Sequence, residues 1–176
     1  VLLLGTVLGM GRLRVDTDYL RYLPGNSPLK QSMNHYRDHF GGLSFLSLVV
    51  ETGQTDGVLN LDTFHQIEQL TQFLESESDY LMSLPQLARA TASWIDPERS
   101  LDAFPLSDQD LRNTVESIPS GLLSQYLDHN RSRILIRMRA DTPRSTDLDH
   151  FEKQVLRFAD TALNERLVLT LTGNRY

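Results

Sequence analysis

Two separate stretches of this chain spell out the same succession of strand, loop, amphipathic helix and strand. In the first, over residues 44–84, FLSLVVET leads through a polar loop into LDTFHQIEQLTQFLES and then DYLMSL. In the second, over residues 131–172, RILIRMRADT leads into TDLDHFEKQVLRFADTAL and then RLVLTLT. Apolar residues three or four apart put one buried stripe on each helix. The stripe is Phe64, Ile67, Leu70 and Leu74 in one, and Leu148, Phe151, Val155, Phe158 or Ala159, and Ala162 in the other. Joined, two such units give βαββαβ, an α+β fold of the ferredoxin-like plan with an antiparallel sheet. Right-handed crossovers place both helices on one face of that sheet. An open α/β fold is the alternative, but the strands are few and no glycine-rich phosphate turn follows one.

Between the halves lies an insertion over residues 85–130, interrupted by Pro97, Pro105 and Pro119. Pro85 can open a helix carrying Leu87, Ala88, Ala92 and Trp94, and cap residues predict short helices over Ser107–Ser117 and Ser120–Leu127. The expectation is a helical cap or lobe. Ahead of the first unit, Arg12–Asp18 suits a short strand. Ser27 and Pro28 then open a helix whose stripe is Leu29, Met33, Tyr36 and Phe40, and Gly41-Gly42 ends it. Val1–Gly11 is uncharged and mostly aliphatic. It is shorter than the roughly 20 apolar residues a spanning helix needs. It reads either as a buried apolar segment or as the end of a membrane helix whose beginning is missing, which leaves residues 12–176 as the water-exposed domain.

The 176 residues carry a net charge of −6, which argues against a wide basic face for nucleic acid. No cysteine is present, so disulfides, thiolate metal sites and cysteine nucleophiles are excluded. His35 and His39 share a helix face, but no third ligand or known metal motif accompanies them. His65, His129 and His150 read as exposed helix or loop residues. Asp108 with Asp110, and Asp147 with Asp149, sit where helices begin and favour the positive end of the dipole. No nucleophile elbow occurs. No catalytic residue, metal or cofactor is therefore assigned.

One strand stands apart. In Arg131–Ala140, Ile134, Ile136 and Met138 point one way and Arg133, Leu135, Arg137 and Arg139 the other. The first set is expected to face the helices. The arginines then line the open face, where Glu51 at the end of the neighbouring strand can pair with one of them. Two readings fit: a solvated face with cross-strand ion pairs, or a face that docks a second domain or an anionic headgroup.

The run RLRVDTDYLRYLPGNSPLKQSMNHYRDHFGGLSFLSLVVETG, together with SLPQLARA, the arginine-rich strand and the closing LTLTGN, resembles the first extracytoplasmic loop of RND-superfamily exporters. The branch it is most similar to is the MMPL-type, patched-like lipid exporters, which include the hopanoid transporters. The resemblance spans nearly the whole chain and rests on the order and spacing of degenerate words. It implies a porter domain on the periplasmic side of a bacterial inner membrane, between the first two membrane helices. Such a domain forms part of the path of a hydrophobic or amphiphilic substrate, exported at the expense of a proton gradient. The relay residues for protons would lie in later membrane helices. The partners implied are the second periplasmic loop domain and the membrane helices of the same transporter, with a homodimer as a further possibility. Candidate path residues on the insertion are Leu101, Phe104, Leu122, Leu123 and Tyr126, which serve equally well as its core. A free-standing ferredoxin-like module for ligand binding or assembly is the alternative. A small enzyme on the same scaffold has no site to support it.

Overall fold

The computed structural model describes residues 22–40, 44–78, 80–98, 100–101, 104–140, 145–163 and 166–173. The Val1–Gly11 run, the strand expected over Arg12–Asp18 and the Gly41-Gly42 helix stop lie outside the described residues. Among the described residues, no helix is long and apolar enough to cross a membrane. The elements are α1 (Pro28–Phe40), β1 (Ser44–Glu51), α2 (Leu61–Ser76), β2 (Tyr80–Met82), α3 (Leu84–Ile95), α4 (Asp108–Ser117), α5 (Ser120–Leu123), β3 (Arg133–Ala140), α6 (Ser145–Ala162) and β4 (Val168–Gly173). The fold is mixed α+β. Its four strands form one sheet in the order β2-β3-β1-β4, and every neighbouring pair is antiparallel.

The sheet alternates as the sequence predicts. Leu46, Leu48 and Val50 of β1 and Ile134, Ile136 and Met138 of β3 are buried in one core with Phe64, Ile67, Leu70 and Leu74 of α2 and Phe151 and Val155 of α6. Each such side chain taken from water contributes about 1.5–3 kcal/mol. The two helices meet through Phe73 and Phe158, whose rings stack at 4.4 Å. The stripe on α2 is set in register by its start: the Asn60 side chain accepts from the Thr63 N–H at 3.2 Å and caps the helix.

The insertion shares this core. Leu84, Ala88 and Ala92 of α3, Phe104, and Leu111 and Val115 of α4 pack in the same cluster as the sheet. Glu68 of α2 is mostly buried and forms an ion pair with Arg89 of α3, whose Nη1 also donates to the Leu101 carbonyl at 2.6 Å. That pair ties the insertion to the first repeat unit. A buried carboxylate needs such a partner, because its desolvation is otherwise uncompensated.

Several element ends differ from expectation. Helix α3 starts one residue before Pro85, because Ser83 and Gln86 form a capping arrangement in which the Gln86 Oε1 accepts from the Ser83 N–H at 3.0 Å. Trp94, expected on its stripe, is 85% exposed near the end of the helix. Leu29 of α1 is likewise exposed, and Ala162 lies exposed in the last turn of α6. The helix expected over Ser120–Leu127 is a single turn, Ser120–Leu123, because Tyr126 and Leu127 leave it to lie along β3. The Tyr126 carbonyl accepts from the Leu135 N–H at 2.9 Å. Strand β3 begins at Arg133 and not at Arg131, since Arg131 has φ 53 and Asp128 holds the turn. The Asp128 carboxylate accepts from the N–H groups of Ser132 at 2.7 Å and Arg133 at 2.8 Å. Burial raises its pKa, but those bonds, the Ser132 hydroxyl and the Arg133 charge outweigh it and leave the carboxyl below its ordinary value. The last strand begins at Val168, after a turn at Arg166.

Candidate functional site

Successive residues of a strand face opposite sides, so the buried set on β1 and β3 fixes what the other side carries. That open face holds Phe45, Ser47, Val49 and Glu51 of β1 and Arg133, Leu135, Arg137 and Arg139 of β3, joined by register. Tyr80 and Met82 extend it on one side through pairing with Arg139 and Arg137, and Val168, Thr170 and Thr172 on the other through pairing with Glu51, Val49 and Ser47. All these side chains are half-buried or exposed.

The three arginines have different neighbours. Arg133 Nε lies 3.1 Å from Glu51 Oε2, directly across the ladder. Arg137 places its guanidinium 5.5 Å from the centre of the Tyr126 ring. Arg139 has three aromatic neighbours, with its guanidinium 4.9 Å from the ring of Phe45, 5.1 Å from Tyr80 and 5.6 Å from Tyr36 of α1. These are cation–π distances, each worth about 0.5–1 kcal/mol where solvent is near. The face therefore divides into an end held by the Glu51–Arg133 ion pair and an aromatic end, where three rings surround the Arg139 guanidinium. Among the described residues of the four strands, Glu51 is the only carboxylate.

The path residues expected on the insertion do not form one open wall. Phe104 is 1% exposed and meets Phe64 edge to face at 6.4 Å, deep in the core. Leu101 and Leu123 are partly buried against that core, and Leu122 is 37% exposed at the surface. Tyr126 is buried under Arg137. Its ring meets the arginine row, and so links the insertion to the sheet.

The aromatic ring around Arg139 escaped the sequence reading. Its signal was present: the alternation that assigns Leu46, Leu48 and Val50 to the core puts Phe45 on the arginine side. Which cross-strand neighbour it meets depended on register, which only pairing supplies. The Glu68–Arg89 pair escaped too, because no local spacing links residues on two helices.

Elsewhere the groups are structural. His39 Nδ1 donates to the His35 carbonyl at 2.8 Å and the two rings lie 4.1 Å apart. Among the described residues no group of three His, Cys, Asp or Glu side chains converges for a metal. At the opposite end of β1, the loop before α2 packs on the turn before β3. Thr52 N–H donates to the Ser132 carbonyl at 2.9 Å and Val58 N–H to that of Arg131 at 3.1 Å. Arg112 of α4 pairs with Asp56 at 3.1 Å, and Arg131 reaches Glu116 at 3.4 Å. Gly57 is needed here, as a Cβ would stand 2.3 Å from Thr52 Oγ1. A pocket of about 260 Å³ opens beside this loop, lined by Thr52, Asn60, Asp62, Thr63, Gln66 and Arg166 among others. Its walls are polar, whereas a lipid tail requires apolar ones.

No protein-family model matches the chain, and no curated protein matches it in sequence.

Proposed function

We propose that this chain is a porter-type wall domain of an RND-superfamily exporter of hydrophobic or amphiphilic molecules, on the periplasmic side of a bacterial inner membrane. It acts by packing and not by catalysis. The observation that carries the reading is the one-sided sheet: four antiparallel strands with α2 and α6 on one face and a second face left for a neighbour. Read from the other edge, the strand order is β4-β1-β3-β2, with a helix between β1 and β2 and another between β3 and β4. That order supports a ferredoxin-like plan, two interleaved strand–helix–strand units of the kind the family resemblance implies.

On this reading the neighbour is the second periplasmic loop domain of the same transporter. The end of the face with Val49, Leu135, Val168 and the neutralised Glu51–Arg133 pair suits such a contact. An ion pair with both partners in place can be covered at smaller cost than an isolated charge. The substrate path is bordered by the insertion, where Leu122 is the exposed member of the expected set. The coding sequence beyond Tyr176 tests the reading directly. Further membrane-spanning segments and a second loop domain are expected, and lipid is expected to copurify with the intact protein. A coding sequence that ends soon after Tyr176 with no membrane segment overturns it in favour of a free-standing module.

A further inference from the structure

We infer that the outer edge of β4 is a docking site for an extended strand of the second periplasmic loop domain, added to the sheet beyond β4. The inference deepens the porter reading and rests on it for the source of that strand. Three observations carry it.

The first is the contrast between the two edges. In the order β2-β3-β1-β4 the sheet ends at β2 and at β4. Folded proteins guard such edges with short strands, charges or proline, because a bare edge is a template for another strand. β2 is guarded by its length of three residues. β4 runs for six residues, VLTLTG, with no charge and no proline. Among the described residues its only sheet neighbour is β1.

The second is the direction of the main chain. Thr52 N–H donates to the Ser132 carbonyl at 2.9 Å, on the β3 side. Main-chain groups alternate along a strand, so Ser47, Val49 and Glu51 turn theirs toward β4 and bond to Thr172, Thr170 and Val168. The Thr172 hydroxyl, which donates to the Ser47 carbonyl at 3.2 Å, agrees with that direction. The N–H and C=O groups of Leu169 and Leu171 therefore face away from β1, in the plane of the sheet. Such groups require a partner or water.

The third is an apolar overhang. The Leu169 and Leu171 side chains lie on the helix side and are only partly buried against the core. Above them, α6 meets α2 through Phe158. Leu156 stands about 200° round the helix from Phe158, on the flank away from α2, and is 45% exposed. A further strand with apolar residues on the helix side fills the space beneath Leu156, and polar residues at its alternate positions continue the row of Thr170 and Thr172. In strand addition, main-chain bonds give the affinity and alternate side chains the specificity. A helix presents no such row of main-chain groups, so the occupant is extended. Val168 of this edge pairs with Glu51, whose carboxylate holds Arg133 where the neighbouring domain is placed, so the edge and that contact are continuous.

Amide hydrogen exchange and NMR titration of the 176-residue chain test this. The probe is a synthetic peptide of the β4 sequence, VLTLTG, with a lysine at each end. Its central LTL reads alike in both directions, so antiparallel pairing sets leucine beside leucine on the helix side. One form is N-methylated at its threonines and a control form at its leucines. In the free chain the Leu169 and Leu171 amides are expected to exchange faster than that of Thr170. The threonine-methylated peptide is expected to slow them, and the control, which lacks two main-chain donors, to bind about tenfold more weakly or worse. In the intact parent protein the two amides are expected to be slow already and the probe not to bind. Slow Leu169 and Leu171 amides in the free chain at every concentration overturn the inference, as do two peptides that bind alike or not at all. Protection that rises with chain concentration overturns it in favour of a second copy. A probe that binds the intact protein overturns it too, since the edge is then unoccupied there. The peptide readout is independent of the coding sequence past Tyr176, so the two ideas fail separately.

Discussion

Along the eight residues of β3, Ile134, Ile136 and Met138 alternate with Arg133, Leu135, Arg137 and Arg139, and the alternation separates two different materials. On the covered face the side chains are at most a few per cent exposed and interlock with two helices and the insertion. Their identity is set by volume and by exclusion of water. On the open face the neighbours are rings and opposite charges, held at 3.1 to 5.6 Å. Those contacts add little to stability, because each is screened or only partly desolvated. Burial specifies one face, and ion-pair and ring contacts mark the other, on the same strand.

The sharpest way to break that comparison is to truncate adjacent residues. Ile136→Ala is expected to lose about 2–5 kcal/mol through lost transfer and a residual cavity. Arg137→Ala, one residue on, is expected to lose below about 1 kcal/mol, the worth of its contact with Tyr126. Urea unfolding of the pair reads the difference, and equal losses would erase the distinction between the faces.

The seam at the end of the sheet comes next. Gly57→Ala drives a Cβ against Thr52 and is expected to cost about 1–3 kcal/mol, seen as a lower urea midpoint with an unchanged slope. A neutral outcome would mean that the loop is not held to the turn before β3.

Asp128 in that turn gives a pH-dependent test. Its folded-state pKa is depressed, so it contributes stability above the unfolded carboxylate value, lost as pH falls through the folded value. Asp128→Ala also strands two backbone N–H groups, a loss of about 1–2 kcal/mol at neutral pH. The gap between parent and variant is expected to narrow as the solution is acidified below the ordinary carboxylate range. A gap that widens on acidification would contradict the sign.

The smallest effect belongs to the open face. Glu51→Gln is expected to change stability by less than about 1 kcal/mol, because an exposed pair is screened and entropically costly. Added salt should shrink even that. A loss of core size would show that the pair is structural, and the face less open than its exposure implies.

Much of this was legible in the letters. The α2 stripe could be read from spacing, since a 3.6-residue period and a core-facing surface are nearly the same statement. The inward set of β3 followed from period two. The Ser83–Gln86 capping pair was visible, but the proline beside it drew the helix start one residue too far. Trp94 and Leu29 were misplaced because an apolar letter at the right spacing does not reveal whether a neighbour reaches it. The residues named on the insertion divide for the same reason, with Phe104 in the core and Leu122 at the surface.

Local order was therefore the property of the sequence itself: the two strand–helix–strand units, the inward side chains of each, and the arginine row. Periodicity and turn chemistry act over a few residues, and they suffice for that. Tertiary structure alone decided which strands lie side by side, that Glu51 meets Arg133, that Glu68 finds Arg89, and that Phe45, Tyr80 and Tyr36 gather around Arg139. Those encounters join residues far apart in the chain. Their energy depends on distances fixed only when the sheet has closed on its helices.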